Sequence, residues 1–170
     1  MRAFNWLAGA VLLAGCSYTP EGVQPVTNFQ LERYLGTWYE IVRLDHRFER
    51  GLSRVSANYS ERADGGIAVI NRGYDTNKER WKEATGRAYF VGEPTVARLK
   101  VTFFWPFYGG YNVIELDPEY RYALVAGPSR KYLWVLSRTR QLDEQVLSEL
   151  LAKAKRLGFA TEQLIRVKQE

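Results

Sequence analysis

A chain of 170 residues, 14% of them aromatic and 25% charged, has room for one domain with an ample core. Its net charge of +5 is mild and spread along the chain, so no basic run suits a nucleic acid. A single cysteine and a single histidine exclude an internal disulfide and leave no thiolate or imidazole metal cluster.

The first six residues carry one positive charge, Arg2, and Leu7 to Gly15 form a short apolar run. This reads as a secretory signal, too short to span a bilayer. The run ends in Leu13-Ala14-Gly15-Cys16. Small residues before a cut, with the only cysteine after it, resemble the lipobox of bacterial lipoproteins. The resemblance implies removal of residues 1–15, acylation of Cys16 and a lipid anchor. Ser17 in place of an aspartate favours the outer membrane, on its periplasmic face. Losing Arg2 lowers the net charge to +4. Residues 16–35, with Pro20, Gly22, Pro25 and Asn28, read as a lipidated tether that settles on the domain near Phe29-Gln30-Leu31 and Tyr34-Leu35. Residues 36–170 read as the folded domain.

From residue 36 short strands alternate with turns about every ten residues. They are expected at Thr37–Asp45, Ser53–Ser60, Ile67–Tyr74, Ala84–Val91, Thr95–Phe104, Tyr111–Asp117, Tyr122–Gly127 and Tyr132–Arg138. Ala97, Leu99, Val101 and Phe103 alternate with Arg98, Lys100 and Thr102, one face apolar and the other wet. Val55, Ala57 and Tyr59 repeat the pattern. Eight consecutive antiparallel strands fit an all-β, up-and-down barrel, which closes and so removes its edges. Then the period changes. Asp143 can cap a helix, and Val146, Leu147, Leu150, Leu151, Ala154 and Leu157 form an apolar stripe suited to the barrel's outer wall. Lys153, Lys155 and Arg156 complement its dipole, Gly158 ends it, and Leu164 to Val167 can add a short final strand.

Three blocks carry a family likeness: Gly36-Thr37-Trp38-Tyr39-Glu40, Tyr111 through Tyr120 with Asp117, and Leu133 through Thr139 with Arg138. In this order, followed by a helix, they resemble the G-x-W, Asp/Tyr-turn and late-arginine motifs of the lipocalins. The nearest likeness is to bacterial outer-membrane lipoprotein lipocalins and the apolipoprotein D group. The resemblance implies an eight-stranded lipocalin barrel. Gly36, Trp38, Asp117 and Arg138 would be structural: a guanidinium can stack on an indole and donate to backbone carbonyls, stoppering one end.

Counting by twos from Trp38 and Arg138, and following the family likeness, orients the wall. Glu40, Val42 and Leu44 should then point inward. The expected ligand-binding residues are Val55, Ala57, Tyr59, Val69, Asn71, Ala88, Leu99, Val101, Phe103, Tyr111, Val113, Tyr132, Trp134 and Leu136. Ile67, Ala84, Gly86, Ala123 and Val125 join them on the inner face. Small residues among aromatic ones leave volume for an apolar ligand. Glu40, Glu115 and Asn71, with hydroxyls of Tyr59, Tyr111 and Tyr132, add polar contacts. The two glutamates belong either to a closed-end network or to a head-group site.

Phe104-Trp105-Pro106-Phe107-Tyr108 should form a loop at the open end, with Phe48 and Trp81 on neighbouring loops. These rings either touch a bilayer or fold inward over the mouth. His46 reads as a surface residue. No catalytic set, cofactor motif or metal set is present, so no cofactor is expected. The favoured function is binding a fatty acid, lysophospholipid or similar amphiphile, stored or moved during envelope maintenance or stress. Its rivals are a scaffold engaging an envelope protein through its exterior, and a lipid-modifying enzyme using Glu40 or Glu115. Homodimerisation follows from the family likeness alone.

Overall fold

The computed structural model describes residues 18–170. The expected signal segment 1–15 and the acylated Cys16 lie outside the described residues. The described chain opens with a short helix α1 (Leu31–Tyr34), then runs through β1 (Gly36–Leu44), β2 (Leu52–Glu61), β3 (Ile67–Asp75) and β4 (Arg80–Phe90). It continues through β5 (Arg98–Phe104), β6 (Phe107–Leu116), β7 (Tyr122–Ala126) and β8 (Leu133–Ser137). Helix α2 (Glu144–Arg156), a 3₁₀ turn and the short strand β9 (Leu164–Arg166) complete it.

Each of β1 to β7 pairs antiparallel with the next, and β8 and β2 both pair with β1, so the sheet closes on itself. β9 adds to β1 beyond the point where β2 leaves it, at Val42 to Leu44. The β2–β3, β4–β5 and β6–β7 turns gather at the end where β1 begins, the closed end. The four other hairpin connections ring the open end.

Two cores lie on the two sides of the wall. Trp38, Tyr59, Val69, Leu99, Val113, Val125 and Leu136 fill part of the inside. Ile41, Val42, Ile114, Leu124, Leu133 and Val135 face out and are covered by Leu147, Leu150 and Ala154 of α2. Each buried leucine there contributes about 2 kcal/mol. Asp143 caps the helix by accepting from the Gln145 and Val146 amides at 2.9 and 3.1 Å.

Two bulges change the expected inward set. β1 pairs Glu40 with Leu136 and then Val42 with Val135, leaving Ile41 as an extra residue. An extra residue reverses the parity of everything after it. Val42 and Leu44 therefore face α2, and Arg43 turns inward. The bulge at Ile114 does the same to β6: Glu115 points out and pairs with Lys153 of α2.

The stretch expected as a tether is docked on the wall from Tyr18 onward. The Tyr18 carbonyl accepts from Asn112 Nδ2 at 2.7 Å, and Thr19 Oγ1 donates to Asn112 Oδ1 at 2.7 Å. A Cβ on Gly110 would lie 1.8 Å from the Tyr18 carbonyl oxygen, so only glycine admits this approach. Further on, Val26 bridges Val113 and Ala97, and Phe29 enters the inner core.

Candidate functional site

The closed end is a stopper with its polar groups paired. Trp38 is fully buried and donates from Nε1 to the Tyr34 carbonyl at 2.8 Å. The Arg138 guanidinium lies 4.0 Å above the indole and donates to the carbonyls of Tyr120, Thr37 and Arg33. Gly36 opens β1 beside it. Asp117 closes the β6–β7 turn, accepting from the Arg121 side chain at 2.7 and 2.9 Å and from the Glu119 and Arg121 amides. The Arg121 guanidinium holds the Asp117 carboxyl below the usual range. The same turn turns Tyr120 inward, where its hydroxyl accepts from the Gln30 amide at 2.9 Å.

Above this stopper lies a cavity of about 120 Å³, several times the space one water needs (roughly 15 Å³). Val55, Ala57, Tyr59, Val69, Asn71, Ala88, Leu99, Val101, Phe103, Tyr111, Trp134 and Leu136 line it, with Glu40, Ile67 and Val125. Val113 does not reach it: the residue is fully buried at the closed end, where its backbone bonds Ala97 and Val26. Tyr132 stands outside it, its ring stacked 6.2 Å from Trp134. Ala84 is exposed, on the half of β4 that extends past β5. The space expected beside Gly86 is taken by Phe103, whose ring would lie 2.8 Å from a Cβ there.

Sequence reasoning missed Phe29, Leu31 and Tyr34 on the floor, and Ser56, Gly110 and Glu49 on the wall. The first three belong to the segment expected only to settle on the domain. Tyr34, Tyr111 and Tyr59 form a chain of hydroxyls, 2.7 and 2.9 Å apart.

Glu49 comes from the β1–β2 loop, which folds into the barrel mouth. Arg43 donates to Glu40 Oε1 at 2.8 Å and to the Glu49 carbonyl at 2.8 Å. Trp134 Nε1 donates to Glu49 Oε2 at 3.0 Å, and His46 Nε2 lies 2.9 Å from the same oxygen. His46 is therefore not a surface residue: it is buried against Tyr132 and Trp134. Burial pushes the Glu40 carboxyl well above its usual range; the neighbouring Glu49 adds to the rise and Arg43 opposes it. Burial also pushes Glu49 up, but bonds from His46 and Trp134 and the charges of His46 and Arg43 outweigh it and hold the carboxyl low.

At the rim, Phe104, Trp105 and Phe107 are 73%, 71% and 78% exposed, so the rings do not fold over the mouth. Phe48 and Trp81 stand exposed on the adjoining loops. Among the described residues no group of acidic, histidine and cysteine side chains is placed to hold a metal.

The family model of the lipocalin-like domain matches residues 29–169. This chain is a lipocalin. It is 57% identical to "Outer membrane lipoprotein Blc" of Citrobacter freundii, over 96% of this chain and 93% of that one. With the Vibrio cholerae protein of the same name it shares 54% identity over the whole of both chains. A weaker likeness, 35%, extends to apolipoprotein D of Bos taurus, over 72% of this lipocalin and 68% of that protein. Among solved structures, insecticyanin of Manduca sexta superposes with a TM-score of 0.71 at 18% identity, covering 89% of this chain and 86% of that one. That likeness speaks to the fold alone. Membership and relatives make this lipocalin a lipid-binding lipoprotein of the outer membrane, and a binding protein rather than an enzyme.

Proposed function

We propose that this lipocalin is held on the periplasmic face of the outer membrane by an acylated Cys16. There it carries a single-chain amphiphile, a fatty acid or lysophospholipid, storing or moving it during envelope maintenance or stress. The observation that carries the reading is the cavity: apolar walls, a sealed floor and an open mouth in one closed barrel. Native mass spectrometry of the full chain with Cys16→Ser, titrated with oleate and lysophosphatidylcholine, tests it. One ligand per chain, lost in Ala57→Trp with the fold retained by circular dichroism, is the expected result. No binding to either would shift the function to an exterior protein partner.

A second observation bears on how the barrel meets its membrane. Tyr18 is docked on Gly110 of β6, and the β5–β6 hairpin to which Gly110 belongs ends in the exposed Phe104, Trp105 and Phe107. A lipid on Cys16 would start two residues from that contact. Exposed aromatic rings favour the bilayer interface. The proposed pose puts the mouth against the lipid surface. Trp105→Ala should weaken binding of the Cys16→Ser chain to phospholipid vesicles severalfold; unchanged binding would rule out contact by this loop.

A further inference from the structure

On the cavity floor the hydrogen-bond count does not close. Tyr34 and Tyr59 each bond Tyr111 through their hydroxyl oxygens, at 2.7 and 2.9 Å. Each phenol brings one proton, so three protons serve two bonds. Among the described residues none of the three oxygens has a further partner. Whichever way the bonds run, one O–H is left over, and all three residues line the cavity.

Their place and character narrow what that proton can meet. Tyr34 packs 4.7 Å from Trp38, and Tyr59 faces Gly36 across the β1–β2 pairing, so the triad stands at the sealed end. Burial pushes the pKa of all three phenols up; Tyr34 and Tyr59 add to the rise at Tyr111, and at Tyr34 the rise from Tyr59 is opposed by the hydrogen bond with Tyr111 and the charge of Arg138. They remain neutral donors. The one cation felt here, by Tyr34, is Arg138, whose guanidinium is engaged with three backbone carbonyls; burial favours the protonated form of a carboxyl group brought to this floor. Beyond the triad the polar lining includes the carboxyls of Glu40 and Glu49 with Asn71 and Ser56.

We propose that the Tyr34–Tyr111–Tyr59 triad is a donor subsite for an uncharged carbonyl oxygen of the ligand: a ketone, an ester or a protonated carboxylic acid. A fatty acid or ketone then lies with its carbonyl on the floor and its chain toward the mouth, whereas a lysophospholipid, whose charged head adjoins its ester, enters chain first and leaves the triad unused. The inference rests on the reading of the barrel as a lipid pocket and deepens it by saying which end of the lipid goes in first.

The test separates the two. Dodecan-2-one and dodecane compete with an apolar reporter dye for the Cys16→Ser chain and for its Tyr34→Phe, Tyr59→Phe, Tyr111→Phe triple variant. The triple change is needed because any one tyrosine left in place still brings a spare proton. The ketone should bind the variant about fivefold more weakly, the worth of one buried hydrogen bond, while dodecane binds both alike. Equal weakening of both ligands, or of neither, overturns the subsite while leaving the pocket. Binding of neither to the unsubstituted chain sinks the pocket and the subsite together. Should the variant not fold, the infrared band of a carbon-13-labelled ketone carbonyl bound to the unsubstituted chain decides. A shift below its frequency in dodecane supports the donor, and an unshifted band overturns it.

Discussion

At the closed end of the barrel, a tryptophan, an arginine and an aspartate are each tied to backbone. At the open end, three aromatic rings of one hairpin stand in solvent, and a buried glutamate shares its site with a second carboxyl. The closed end joins distant segments: Arg138 bonds Arg33 and Thr37, more than a hundred residues away. The open-end hairpin bonds mainly itself. Stability is therefore concentrated at one end, and freedom to meet something else is left at the other.

The sharpest way to break the contrast is Trp38→Ala. It removes a fully buried ring on which Arg138 and Tyr34 rest, and should cost about 4 kcal/mol. In a domain of this size that lowers the melting temperature by roughly 10 °C, read by circular dichroism. A loss under about 1 kcal/mol would remove the stopper from the account.

Asp117 at the closed end and Glu40 above it should answer pH with opposite signs. Asp117 is held low in the fold, so its stabilisation is present above the ordinary carboxylate range and is lost as pH falls through the folded value. Glu40 is held high, so its contribution is fullest at or below the ordinary glutamate value, about 4.3, and declines as pH rises from there toward the folded value. In melting profiles against pH, Asp117→Asn should flatten the acid limb and Glu40→Gln the limb above it. Glu49, held low, carries the sign of Asp117, so the Glu40 variant reads its own site. Parallel profiles for wild type and Glu40→Gln would contradict the assignment. The smallest effect belongs to Trp105→Ala: with its ring 71% exposed, thermal stability should stay within about 0.5 kcal/mol.

Much of this architecture was legible from alternation alone. Strands such as β5 and β2 show their inner faces residue by residue, and Asp143, the leucine stripe and Gly158 bracket α2. What period-two counting could not see was the bulge. Neither Ile41 nor Ile114 carries a local signature of an extra residue, yet each reverses the strand beyond it. Val42, Leu44 and Glu115 left the expected interior, and Arg43 entered it. Each bulge turns two consecutive side chains toward α2, Ile41 and Val42 onto its apolar stripe and Ile114 with Glu115 onto the stripe and Lys153, a demand set by packing across the chain. Glu49 and His46 escaped for a related reason: their partners, Trp134 and Tyr132, lie more than eighty residues away. The floor escaped because proline and glycine in residues 16–35 suggested a tether that merely settles on the domain near Phe29, Leu31 and Tyr34, whereas these three residues are part of the cavity.

The docking of Tyr18 and Thr19 on β6 has a consequence for the order in which the molecule assembles. The Thr19–Asn112 hydrogen bond closes a loop of 93 residues, and the Val26–Val113 bond is of similar span. Loops of that length close only after local hairpins have formed. The segment made early in synthesis is therefore seated late, after the β5–β6 hairpin exists to receive it. Until then residues 18–29 stay away from the wall. Seating it lays Tyr18 and Thr19 against a wall already built, so the segment that precedes the barrel in sequence is the last to join it.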